Sequence, residues 1–169
     1  MPARRWFVLG LCAGLGACGF RPLLAVNDDA GVQQQLGGIE VTGLSGRLGQ
    51  LVRNSLMEHI TPVAALDGAP RYRLAVRLSR GTSALGIQLD NTITRYNLTV
   101  VARFQLLRQE DNQPLYRSTV RRVASYNVRR EPFATLTAEQ DAERRAAREI
   151  GNDIRTVLAV YFAREAEQA

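Results

Sequence analysis

Cys18 is the side chain with the clearest chemical opportunity in this sequence. It closes the run Leu15-Gly16-Ala17-Cys18, behind a basic opening with Arg4 and Arg5 and an apolar stretch from Trp6 to Leu15. Basic, apolar, then small residues is the order a secretory signal uses. Cleavage after Ala17 leaves Cys18 at the new N-terminus, its thiol either free or modified. The apolar stretch is shorter than the roughly 20 residues a membrane span needs, and no second one follows. A delivered protein without a transmembrane helix is therefore expected.

The remaining reactive residue types do not assemble a catalytic set. His59 is the only histidine, and Cys12 would leave with the signal, so no metal cluster can be built. Ser45 and Ser83 lie near glycines but have no histidine in context, and neither a phosphate-binding glycine loop nor a Gly-x-Ser-x-Gly elbow occurs. The sequence predicts no enzyme, no cofactor and no metal. His59 falls near the end of an expected helix, where a cationic side chain suits the dipole.

The cations are unusual: all 22 are Arg and none is Lys. Removing residues 1–17 takes Arg4 and Arg5 away and leaves 20 Arg against 16 carboxylates, a net of +4. A nucleic-acid binder gathers its cations with stacking aromatics, whereas here they are spread along the chain among acids, so nucleic acid is not an expected partner. Arginine suits bidentate contact with phosphate, and outside the cytoplasm a lipid headgroup or glycolipid is the natural source of one.

Positioning these residues requires about 150 residues of delivered chain, enough for one core. Residues 18–36 mix Pro, Asn, Asp, Gly and Gln33 to Gln35, and read as a tether. A single domain is expected over 37–164, with a tail over 165–169. Ile39 to Thr42 alternates as a short strand. Ser45 can cap a helix carrying Leu48, Leu51, Val52, Ser55 and Leu56 on one face, stopped by Pro62. Tyr72, Leu74, Val76 and Leu78 then alternate with Arg71, Arg73, Arg77 and Ser79, which makes one strand face apolar and the other cationic. A turn region is expected from Gly81 to Asn91. A long strand from Arg95 to Leu106 and a partner from Leu115 to Val128 follow, the latter with Arg122 on its apolar side, which predicts a bulge or frayed end. Thr137 and Gln140 read as a capping box opening a long last helix with an Ala142, Ala146, Ile150, Ile154, Leu158 stripe and an Asp141–Arg145 pair. The order β-α-β-β-β-α predicts an α+β two-layer sandwich, a mixed four-stranded sheet with two helices on one face. Its other face, rich in Arg, Asn, Thr and Gln, is left without cover.

Leu-Gly-Ala-Cys resembles the lipobox of bacterial lipoproteins, in which the cysteine becomes a lipidated N-terminus. Gly19 in second place resembles those sent on to the outer membrane. With Cys18-Gly19-Phe20-Arg21-Pro22-Leu23, Leu51-Val52-Arg53-Asn54-Ser55-Leu56, Ser125-Tyr126-Asn127 and Ala138-Glu139-Gln140-Asp141-Ala142, the whole delivered chain resembles the LptE family. The resemblance implies an outer-membrane lipoprotein facing the periplasm. It implies a partner, the large β-barrel LptD, in which such a protein sits as a plug while lipopolysaccharide is delivered to the surface. It also implies basic residues near one end of the sheet as lipopolysaccharide contacts, here Arg80, Arg95, Arg129 and Arg130, although the Gly81–Thr94 stretch itself holds no basic residue. A lipid-anchored binding module of an inner-membrane lipid transporter is the alternative.

Overall fold

Strands that alternate apolar and polar residues build a sheet with one dry and one wet face. The computed structural model describes residues 30–60, 69–87 and 93–168. Its elements are α1 (Ala30–Gly37), β1 (Ile39–Thr42), α2 (Gly46–Ile60), β2 (Tyr72–Ile87), β3 (Ile93–Arg108), β4 (Pro114–Asn127) and α3 (Pro132–Gln168). The sheet order is β1-β2-β3-β4. β1 runs parallel to β2, with α2 between them in the chain, and β2, β3 and β4 are antiparallel. This is the expected α+β fold with a mixed four-stranded sheet.

Leu74 pairs with Leu106 and Val76 with Phe104, and all four are buried, together with Leu98, Val100 and Ala102 on the same face. Val52, Leu56 and Ile60 of α2 and Ala142, Ala146, Ile150, Ile154, Leu158 and Phe162 of α3 join them in one core. Burying a side chain the size of Phe104 or Phe162 stabilises by about 1.5–3 kcal/mol. Tyr72 stacks obliquely on Phe162 at 5.2 Å, and Tyr116 on Tyr161 at 5.0 Å, which ties the far end of α3 to the sheet. The β3–β4 turn is held by Arg108 N–H to Gln113 O at 2.9 Å, with Asn112 in the left-handed region at φ 57°. Asn tolerates that conformation because its short side chain costs little there.

Five details depart from the sequence expectation. Residues 30–36 are not tether but helix: Val32 and Leu36, four apart, are buried, and Tyr72 Oη donates to Gln35 Oε1 at 3.2 Å. The apolar pair was masked by the glutamines around it. β2 continues through the expected Gly81 turn, because antiparallel pairing with β3 carries on past Gly81–Thr99 to an irregularity at Ala84/Gly86. β4 shows no bulge at Arg122, whose register with Val100 is regular. Its long side chain leaves the core and pairs with Asp153 of α3. Finally, α3 starts at Pro132, not Thr137. Proline lacks the N–H that a first helical residue does not use, and Thr135 Oγ1 accepts from Arg129 N–H at 2.9 Å and donates to Arg129 O at 3.1 Å, fixing the entry. Thr137 is thus interior, donating to Phe133 O at 2.9 Å. The same helix runs through the expected tail to Gln168.

Candidate interaction surface

Register decides what the Arg-rich sheet face can do. Arg77 lies directly opposite Arg103 on β3. Across the other side, Arg103 faces Thr119, with Arg117 and Arg121 on the two diagonals. Directly opposed side chains on a sheet have Cβ atoms about 5 Å apart and diagonal ones about 7–8 Å. Three guanidiniums therefore flank that of Arg103 in one patch. All four residues are exposed, and none pairs with a carboxylate of the described residues. A depression of about 540 Å³ opens here, lined by Gly43, Ala75, Arg77, Arg103, Gln105, Arg117 and Thr119 among others. Opposed like charges repel, so the arrangement favours binding of an anion.

The arginines on the helix side behave differently. Arg80 pairs with Glu139 and, at 3.8 Å, with Glu143; Glu143 is only 6% exposed and also meets Arg47 at 3.3 Å. Arg122 makes a two-pronged contact with Asp153, whose hydrogen bond and charge hold that guanidinium above its usual pKa. Asp141 pairs with Arg145, as expected, and with Arg144. Arg80 and Arg122 thus join β2 and β4 to α3, Arg47 joins α2 to α3, and the Asp141 pairs lie within α3.

Of the expected site residues, Cys18 lies outside the described residues. Arg95 is paired across the sheet with Asn127 and donates from Nε to its Oδ1 at 3.2 Å. Arg129 and Arg130 follow two and three residues later, exposed, beside an open depression of about 850 Å³ that Ala134 and Thr137 also line. These three share one end of the sheet. Arg80 does not join them: it lies further along β2, opposite Val100, on the helix side and engaged by α3. At the same end as Arg95, Leu85 is 57%, Phe133 79% and Leu136 48% exposed. The sequence expectation had no place for these apolar side chains; a Phe and a Leu three apart in the first turn of a helix are the signal that could have found them.

The LptE family, described as lipopolysaccharide-assembly, matches residues 35–158. The chain belongs to the LptE family. Among solved structures, this LptE chain is similar to a Caulobacter crescentus CB15 protein assigned as a lipoprotein, at 29% identity and a TM-score of 0.66 over 80% of this chain and 98% of that one. It also shares its fold with the rare lipoprotein B of Shewanella oneidensis, at 17% identity, TM-score 0.54, over 76% and 96% of the two chains. Lipoprotein B of Nitrosomonas europaea likewise shares the fold, at 12% identity, TM-score 0.58, over 77% and 86%. No curated protein sequence matches the chain. Lipopolysaccharide assembly, as a lipoprotein, is the process this LptE chain serves.

Proposed function

We propose that this chain is an outer-membrane lipoprotein, anchored through lipid on Cys18, that plugs a large LptD-type β-barrel from the periplasmic side. It supports the barrel's assembly while lipopolysaccharide passes to the surface. The observation that carries this reading is the polar face of the sheet, over which none of the described elements packs, in a chain of the LptE family. Large barrels have polar lumens, and a domain with one wet sheet face and a charged helical exterior suits such a container. Lipopolysaccharide is met at the end of the sheet, where Arg95, Arg129 and Arg130 offer charge-assisted bonds to phosphate, and Leu85, Phe133 and Leu136 offer apolar surface to acyl chains. Arg80 leaves that set because Glu139 and Glu143 already hold it.

Affinity purification of the full-length lipidated protein from detergent-solubilised envelopes, followed by mass spectrometry, tests the reading. A large outer-membrane barrel recovered near one to one is expected. Recovery of a transporter complex instead, or of the lipoprotein alone, would overturn it.

A further inference from the structure

Arg103 and the three arginines around it, Arg77, Arg117 and Arg121, form a cationic patch that no carboxylate of the described residues balances. The backbone beneath them is committed to the ladders joining β2, β3 and β4, so no main-chain N–H groups cradle an anion, as they do in a helix-terminal or nest-type phosphate site. The donors on offer are side-chain groups, chiefly the guanidinium forks, spread over an open face. Beyond Arg121 that face continues into Thr99, Val101 and Val123, the last 51% exposed. Arginine around a small apolar strip on a flat surface is the composition of a protein interface, and arginine meets carboxylates in the same two-pronged way that Arg122 meets Asp153 within this chain.

We infer that the sheet face centred on Arg103 docks on a protein wall presenting clustered Asp and Glu carboxylates beside a small apolar strip. The inference rests on the barrel reading above, in which that wall belongs to the lumen. Docking relieves the repulsion between Arg77 and Arg103, so the contact is both attractive and specific in register: a shift of one residue along the strand would turn these side chains to the opposite face.

The test is photocrosslinking from Thr99 and Thr119 in the full-length lipidated protein within intact envelopes, with Glu149 on α3 as a position off the face. Adducts from Thr99 and Thr119 to barrel peptides containing Asp or Glu are expected. Their yield should drop at least tenfold in Arg77→Glu/Arg103→Glu, fall less in Arg77→Gln/Arg103→Gln, and stay unchanged in the equally charged control Arg53→Glu/Arg164→Glu, on exposed helix positions off this face. The Gln pair, which removes charge without adding repulsion, keeps the test valid should the Glu pair misfold. Unchanged yield in both pairs, or adducts to lipopolysaccharide in place of protein, would overturn the inference. Barrel adducts from Glu149 alone would sink this surface and leave the plug standing, whereas no barrel adduct from any position would bring down both.

Discussion

Ser55 of α2 and Gly151 of α3 meet so closely that a Cβ built on Gly151 would lie 2.4 Å from Ser55 Oγ and 2.8 Å from Ser55 Cβ. Ser55 is 4% exposed, and its hydroxyl donates to Arg148 O at 3.3 Å, so the two helices are locked at this point. The backbone N of Leu56, 3.3 Å from the same Cβ position, cannot swing away as a side chain could. Gly151→Ala gains about 1 kcal/mol of helix propensity but forces α2 from α3, for which overpacking costs of about 1–3 kcal/mol are typical. Net destabilisation is expected as a lower urea midpoint. Ser55→Ala will not rescue it, because the Cβ contact at 2.8 Å survives; full recovery in the double variant would refute the close-packing account.

Gly43 closes β1 at φ +80°, and a Cβ there would sit 2.7 Å from Val76 O on the neighbouring strand. Left-handed backbone costs an L side chain about 1–2 kcal/mol, and here the clash is with main chain. Gly43→Ala is expected to lower stability by more than that conformational cost alone, and to raise hydrogen-exchange rates in β1 before those in β3. Uniform acceleration throughout the sheet would contradict this localisation.

How much was legible beforehand follows from periodicity. Leu74, Val76, Leu98, Val100, Phe104 and Leu106 alternate without exception, so the sheet and its dry face could be read directly. The helix at Ala30–Gly37 could not, since two apolar residues among three glutamines fall below any pattern. Arg122 and Arg80 occupy inner-face positions that alternation reserves for apolar side chains. Both fit because a long aliphatic stem can cross apolar surface and deliver its charge to a carboxylate on α3, and those carboxylates are remote in sequence. The cationic outer face was visible strand by strand. What the sequence hid was register, which alone puts Arg77 against Arg103 and sets Arg117 and Arg121 around it.

Arg80 is expected to matter for stability and not for lipopolysaccharide contact. Arg80→Ala leaves the buried Glu143 with Arg47 as its one remaining cation among the described residues. Because Arg80 is itself partly exposed, losing its pairing with Glu139 and Glu143 costs about 1 kcal/mol. Arg129→Ala and Arg130→Ala, on exposed residues outside any ion pair of the described chain, should change stability by less than about 0.5 kcal/mol. Chemical denaturation separates the two classes, while binding of lipopolysaccharide by folded protein should be reduced by the Arg129 and Arg130 variants only.

Alkaline pH should loosen the domain through its tyrosines. Burial, reinforced by Glu139, raises the Tyr126 hydroxyl above its ordinary pKa of 10.0, and burial with Glu165 does the same for Tyr161. The folded protein then keeps protons that the unfolded chain releases near pH 10. The stabilisation is complete below that pH and is lost as pH climbs through the folded values. Urea midpoints measured from pH 9 to 11 should decline in the wild type and decline less in Tyr126→Phe/Tyr161→Phe. Parallel slopes for the two proteins would exclude the tyrosines as the cause.

Cys18 carries the last prediction. A single acyl chain binds membranes only marginally, whereas several chains, at about 0.8 kcal/mol per buried methylene, anchor stably. Lipidation at this one residue therefore separates a membrane-held protein from one that depends on its partner for location. Growth with labelled palmitate should mark the wild type and leave Cys18→Ala unmarked. When the first 17 residues are replaced by an ordinary cleavable signal and Cys18 by Ala, the exported domain should appear in the soluble periplasmic fraction unless the barrel retains it. In cells depleted of the barrel, that variant should become fully soluble while the wild type stays with the membrane. Wild-type protein lacking the label, or the unlipidated variant remaining membrane-bound without the barrel, would show that something other than Cys18 provides the anchor.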